Sequence, residues 1–147
     1  MVDILKASVS KLSDGMQVET STRGFKILLD EPEELGGTNK GMNPVEAVLG
    51  ALGACQTIVA FAFAEAQGID LQDFSVDIEG DLDTDGFLGL SDVRPGCSEI
   101  RFNMHIKSSN TEEEIEKFVD FIEKTCPVGD MIENGVKLVR TAIIIEK

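Results

Sequence analysis

A chain of 147 residues is long enough for one ordinary domain with a sizeable core, and 42% hydrophobic against 27% charged residues is a globular composition. Asp and Glu number 27 against 13 Lys and Arg, a formal charge of −14, which repels phosphate backbones and anionic lipid, so neither nucleic acid nor membrane is an expected partner. One His and three Cys without a CxxC leave too few soft ligands for a structural zinc site, and no metal is expected.

In chain order, residues 4–12 and 16–20 are predicted to pair as a hairpin around Ser13-Asp14-Gly15. The first ten residues, MVDILKASVS, lack the basic region, long apolar run and cleavage site of a signal peptide, so a cytoplasmic location with reduced thiols is the expectation. Phe25-Lys26-Ile27-Leu28-Leu29 reads as a third strand running into the acidic stretch Asp30-Glu31-Pro32-Glu33-Glu34. Gly36 to Asn43 is made largely of turn-formers and reads as a flexible loop over the next helix start. Gly36, Gly37 and Gly41 lack the Lys-Ser/Thr of a phosphate loop, and GxGxxG spacing is absent.

Pro44 suits a first helical turn capped by Asn43, and the helix is predicted to run to about Gln67 and stop at Gly68. From Ala47 to Ala64 it carries no charge, which brushes the length of a membrane span. Its Gly, Ala, Gln56 and Thr57 contribute little transfer energy, however, and Glu46 and Glu65 flank it instead of basic or aromatic anchors. It is therefore expected to be a buried central helix.

Phe74, Val76 and Ile78 alternate with polar residues as in a half-buried strand, and Ile100 to Ile106 forms a second. Between them, Asp81-Leu82-Asp83-Thr84-Asp85-Gly86 matches the opening of an EF-hand loop. The twelfth position is the short Asp92, the upstream residues alternate as a strand, and Pro95-Gly96 blocks a downstream helix. An acidic turn between two strands is the better reading, with a calcium-responsive role ranked last. Thr111 and Glu114 form a capping box for a helix with Ile115, Phe118, Val119 and Ile122 inward. Pro127 opens a short helix closed by Gly135, and a last strand is predicted over 137–146. The elements describe an α+β domain of mostly antiparallel sheet. His105, alone in its strand, reads as structural.

Cys55 lies within the long helix, where a lone Cys is by default small core filler that burial makes inert. Cys126 precedes Pro127 at a helix start, where free N–H groups and the helix dipole favour a thiolate, so it is expected to be the more acidic thiol. Cys97, in Arg94-Pro95-Gly96-Cys97, matches no motif and reads as incidental.

Asn43-Pro44-Val45-Glu46, Ala51-Leu52-Gly53-Ala54-Cys55 and Cys126-Pro127-Val128, with Asp30-Glu31-Pro32 and the Gly36-Gly37 loop, resemble the OsmC/Ohr family of thiol peroxidases. The resemblance covers most of the chain after about Arg23. It implies a single OsmC-like domain over 1–147, its sheet packed around a long central helix, and an intertwined homodimer with sites at the subunit interface. It further implies that Cys55 is peroxidatic, that Cys126 resolves it as a disulfide, and that a cation from the N-terminal part assists; Arg23 is the only Arg before Cys55. The implied substrate is an organic hydroperoxide. The resemblance also implies no bound cofactor and an external dithiol as reductant, lipoylated protein in much of the family.

One position departs from the pattern. The family's Glu directly after Pro is here Val45, and Glu46 lies on the face opposite Cys55, about 900° around the helix. The alternative function is an OsmC-fold protein with little peroxidase activity that binds a small apolar or thiol ligand.

Overall fold

The computed structural model describes residues 1–13 and 15–147; Asp14, in the expected first turn, lies outside them. The chain forms two compact units, Met1–Gly50 and Ala51–Lys147. The first unit holds β1 (Ser8–Lys11), β2 (Val18–Thr22) and β3 (Phe25–Leu29) in one antiparallel sheet, in the order β1-β2-β3. Thr22 pairs with Phe25, so only Arg23 and Gly24 turn the chain between β2 and β3. Both have positive φ, 53° and 87°, which matches the twist of the flanking strands.

The loop after β3 is expected to be flexible, but it is tied down at its start. Asp30 is buried and accepts hydrogen bonds from the Thr38 hydroxyl at 2.6 Å and from the backbone N–H groups of Glu31, Thr38 and Lys40. The Thr38 hydroxyl is the strongest influence holding its pKa at about 2, and the Lys40, Glu31 and Thr38 N–H groups add to it against the opposing effect of burial. Gly37 is required by this arrangement, because a Cβ there would collide with the Glu31 carbonyl.

Helix α1 (Pro44–Phe63) starts as predicted, with Asn43 Oδ1 accepting the Glu46 N–H at 2.8 Å. Turns carry the chain on to Gly68, whose φ of 70° ends it. In the second unit β4 (Leu71–Asp81) pairs antiparallel with β5 (Glu99–Ser108), Phe74 opposite Ile106. Gly53 of α1 lies against β4, where a Cβ would stand 3.0 Å from Ile78 Cδ1. The core gathers Val59, Ala60 and Ala64 with Ile69 and Phe74, and Phe118 and Ile122 of α3 (Glu112–Thr125) close it. The ring of Phe63 meets Phe121 edge-on at 5.4 Å. Helix α3 opens with both halves of the Thr111–Glu114 capping box, and α4 (Pro127–Asn134) follows with Pro127 in its first turn.

Three expectations need correction. The central helix is buried along one stripe only, at Leu52, Gln56, Val59 and Ala60, while Ile58, Phe61 and Phe63 are exposed in the single chain. By length and composition this helix would also suffice to cross a membrane. The acidic stretch after β4 is not a plain turn: Asp83 caps a short helix, α2 (Thr84–Leu88), by accepting the Asp85 N–H at 3.0 Å. Its first carboxylate, Asp81, is bound instead by the Arg101 guanidinium at 2.7 Å, and no cluster of three metal-ligating side chains forms among the described residues. Finally, residues 136–147 form no strand. Their alternation supplies one apolar face, but a strand exists only with a neighbour to complete its hydrogen bonds. The apolar side chains of this tail therefore stand in solvent, Leu138 at 94% exposure and Ile144 at 84%.

Candidate active site

Cys55 and Cys126 both belong to the second unit, and the fold brings their side chains close enough for Cys55 to influence the Cys126 thiol. Cys55 is half-buried and Cys126 is 1% exposed; both are free thiols. Two features fix Cys126. It ends α3, donating its N–H to the Ile122 carbonyl, and it caps α4, its sulfur accepting the Gly129 N–H at 3.3 Å. Gly129 leaves room for this close packing, since a Cβ there would sit 3.5 Å from the sulfur and 3.7 Å from Leu52.

The sequence expectation that Cys126 is the more acidic thiol is not met by this environment. Burial pushes its pKa up from the ordinary thiol value, and the side-chain hydrogen bond to Cys55 and the negative charge that Cys55 carries when ionised push the same way. The Gly129 and Val128 N–H groups oppose them without prevailing. Helix-start acidification is real here but smaller than desolvation.

A cavity of about 480 Å³ opens beside Cys126. Leu52 and Gln56 from α1, Arg94 and Cys97 from the segment before β5, and Glu123 from α3 share its walls. Gln56 is 2% exposed, and its Oε1 has no hydrogen-bond partner among the described residues. Burial, then the charges of Asp120 and Glu133, raise the Glu123 pKa, so it gives up its charge more readily than an ordinary glutamate. Arg23 lies in the first unit at the β2–β3 turn, its guanidinium 5.3 Å from the Phe25 ring centroid.

These positions can be set beside known proteins. The family model described as OsmC-like protein matches residues 37–139. A hydroperoxide reductase of Mycoplasma genitalium is 37% identical over 125 residues, 82% of each chain. The chain belongs to the OsmC/Ohr family. A hydroperoxide reductase of Mycoplasma pneumoniae is 33% identical over 118 residues, covering 78% of this chain and 77% of that one. The crystal structure of an OsmC-like protein from Mycoplasma pneumoniae aligns with a TM-score of 0.79 at 28% identity, over 90% of this chain and 89% of that one.

In this OsmC-type chain the family resemblance implies a pairing of the two cysteines, whereas the cavity has no signature in the sequence. Gln56 was legible only as a polar residue in an apolar helix, and Arg94 and Glu123 carried no signal at all. Their shared cavity is made by segments about 30 to 70 residues apart that only tertiary packing brings together.

Proposed function

We propose that the protein is a cysteine-based peroxidase that reduces organic hydroperoxides, working in the cytoplasm as a homodimer with the whole chain as one domain. The Cys55 thiolate attacks the terminal peroxide oxygen, the O–O bond breaks, and the alcohol leaves with a proton. Cys55 is then a sulfenic acid. Cys126 attacks that sulfur, its thiol proton leaves with the hydroxide as water, and a Cys55–Cys126 disulfide remains. An external dithiol, such as a lipoylated protein, returns both thiols and is itself oxidised, so no bound cofactor is needed. Arg23 is the proposed cation for the first step.

The observation that carries this reading is the approach of Cys126 to Cys55, a buried thiol beside a partly exposed one, at the two motifs the family uses. The relatives named hydroperoxide reductase support the same chemistry. Brief oxidation with cumene hydroperoxide followed by peptide mapping should give a Cys55–Cys126 disulfide with Cys97 still alkylatable. Turnover with a dithiol should follow. Over-oxidised Cys55 without any disulfide would remove the resolving role of Cys126.

The dimer is supported by what the single chain leaves uncovered: the apolar face of α1 at Ile58 and Phe61, and the strand-like tail from Val136 to Ile145. Apolar exposure of this extent is uncommon on a monomer. Equilibrium sedimentation at micromolar concentration should give twice 15.9 kDa. The alternative, a ligand-binding protein with little peroxidase activity, is favoured by Val45 and by the cavity beside Cys126. It predicts tight ligand binding and negligible hydroperoxide turnover.

A further inference from the structure

The cavity beside Cys126 has apolar walls and a charged rim. Leu52, Ile100 and Phe102 line it and are buried or half-buried, whereas Arg94, Glu123 and Glu133, on the same cavity, are exposed. Leu52 and Gln56 come from the stretch of α1 that carries Cys55, so the cavity is an approach to the thiol pair. The apolar walls suit a hydrocarbon group. The rim decides what else that group can carry. Two carboxylates stand there against one guanidinium, and Arg94 is the only cation among the described lining residues. The rest of the chain does not redress the balance, since its formal charge is −14. Glu123 reports the local sign of the field: after burial, the charges of Asp120 and Glu133 raise its pKa, and no cation offsets them.

A negative rim sorts approaching molecules by their charge. Clefts lined by one sign of charge change the arrival rate of charged ligands by about tenfold or more and leave neutral ones unaffected. Hydroperoxides differ in this respect. The –OOH group is neutral at pH 7, so such a molecule is uncharged unless its tail carries an ionised group. We infer that Glu123 and Glu133 form a charge filter at the mouth of this cavity, so that the protein takes uncharged hydroperoxides, alkyl or esterified, and turns away those with a carboxylate tail. The inference rests on the peroxidase reading above and names the substrate class of that same site. It adds no step to the reaction. The two glutamates act on which molecules arrive, and Arg94 moderates them.

The test uses the full chain and one pair of substrates, a short-chain alkyl hydroperoxide ending in a carboxylate and the methyl ester of the same compound. Oxidation of the reduced protein by each is followed by stopped flow at pH 7 and low salt, and each rate is divided by that of free cysteine with the same compound. The ester is expected to react about tenfold faster than the acid, and the ratio should fall toward one in about 0.5 M salt. The double variant Glu123→Gln with Glu133→Gln should close the gap by speeding the acid while the ester keeps its rate, and Arg94→Ala should widen it. The ratio is read within each protein, so a variant that is less active with both substrates still reports. An acid that reacts as fast as its ester in wild type, or a ratio that the double variant leaves unchanged, overturns the filter and leaves the peroxidase reading standing. Reaction of wild type with neither compound overturns both.

Discussion

Replacing Gln56 by Met is expected to make the protein more stable. Gln56 is 2% exposed, and its Oε1 finds no partner among the described residues. A buried acceptor left unsatisfied costs about 1–3 kcal/mol relative to its hydrated state. Methionine has the same chain length and removes the acceptor, while imperfect repacking against Leu52 and Phe102 on the same cavity costs under about 1.5 kcal/mol. The net expectation is a gain of about 1 kcal/mol, or about 2–4 °C in Tm for a chain of this size. Residues that carry a cost of this kind without structural return are commonly kept for function.

Urea denaturation of the reduced protein, with wild type and variant at matched concentration, gives the stability difference. Matched concentration matters because the apparent stability of the proposed dimer would depend on it. Gln56→Glu is the complementary probe: it keeps the shape, adds a buried charge and should be destabilising. A Gln56→Met protein less stable than wild type by 1 kcal/mol or more would show that the amide is satisfied in solution, and the reasoning from its orphaned oxygen would fail.

Three further outcomes follow from the geometry. The folded pKa of Asp30, about 2, lies below its ordinary value, so its contribution to stability is present above about pH 4 and is lost as pH falls toward 2; Asp30→Asn should be less stable than wild type at pH 7, with the gap closing by pH 2–3 in denaturant titrations. The raised pKa of Cys126 means that its attack on the Cys55 sulfenic acid should accelerate with pH through and beyond the ordinary thiol range near 8.5, read as the second phase of stopped-flow oxidation; a pH-independent second phase would show that ionisation of Cys126 is not limiting. Val45→Glu should raise the first-phase rate and Arg23→Ala lower it, each by about tenfold if one unit of thiol pKa is at stake; an unchanged rate in Arg23→Ala would remove Arg23 from the mechanism.

Local chemistry was legible in the sequence, and neighbourhoods were not. The Asn43-Pro44 helix start, the Thr111–Glu114 box and the Pro127 start all depend on residues within four positions of each other, and β3 and α4 came out at their expected bounds. The tail over 137–146 has a strand's alternation, yet alternation names a face and not a partner, so the single chain leaves it unpaired. The acidic stretch differs for another reason: Pro95-Gly96 blocks a downstream helix, which leaves room ahead of it for the five residues of α2 that an acidic turn does not anticipate. At the site, the spacing of the CPV motif correctly put Cys126 at a helix start. What it could not give was the burial contributed by other segments, and burial decides the sign of the pKa shift.

That sign matters for how the two thiols divide their work. The first turn of an eight-residue helix offers a thiolate about 0.3–1 kcal/mol at an exposed site. Desolvating a charged group costs more than this wherever the group is nearly shut off from water. Cys126 is in the second situation, so in the resting protein it is held as a thiol, and only a thiolate attacks peroxide readily. In the proposed cycle, burial would thus keep Cys126 out of direct competition for the oxidant, while its place beside Cys55 would keep it within reach of the sulfenic acid. The N–H of Gly129, already aimed at the sulfur, would have a use in that cycle that the resting thiol does not reveal: it would stabilise the negative charge as Cys126 gives up its proton.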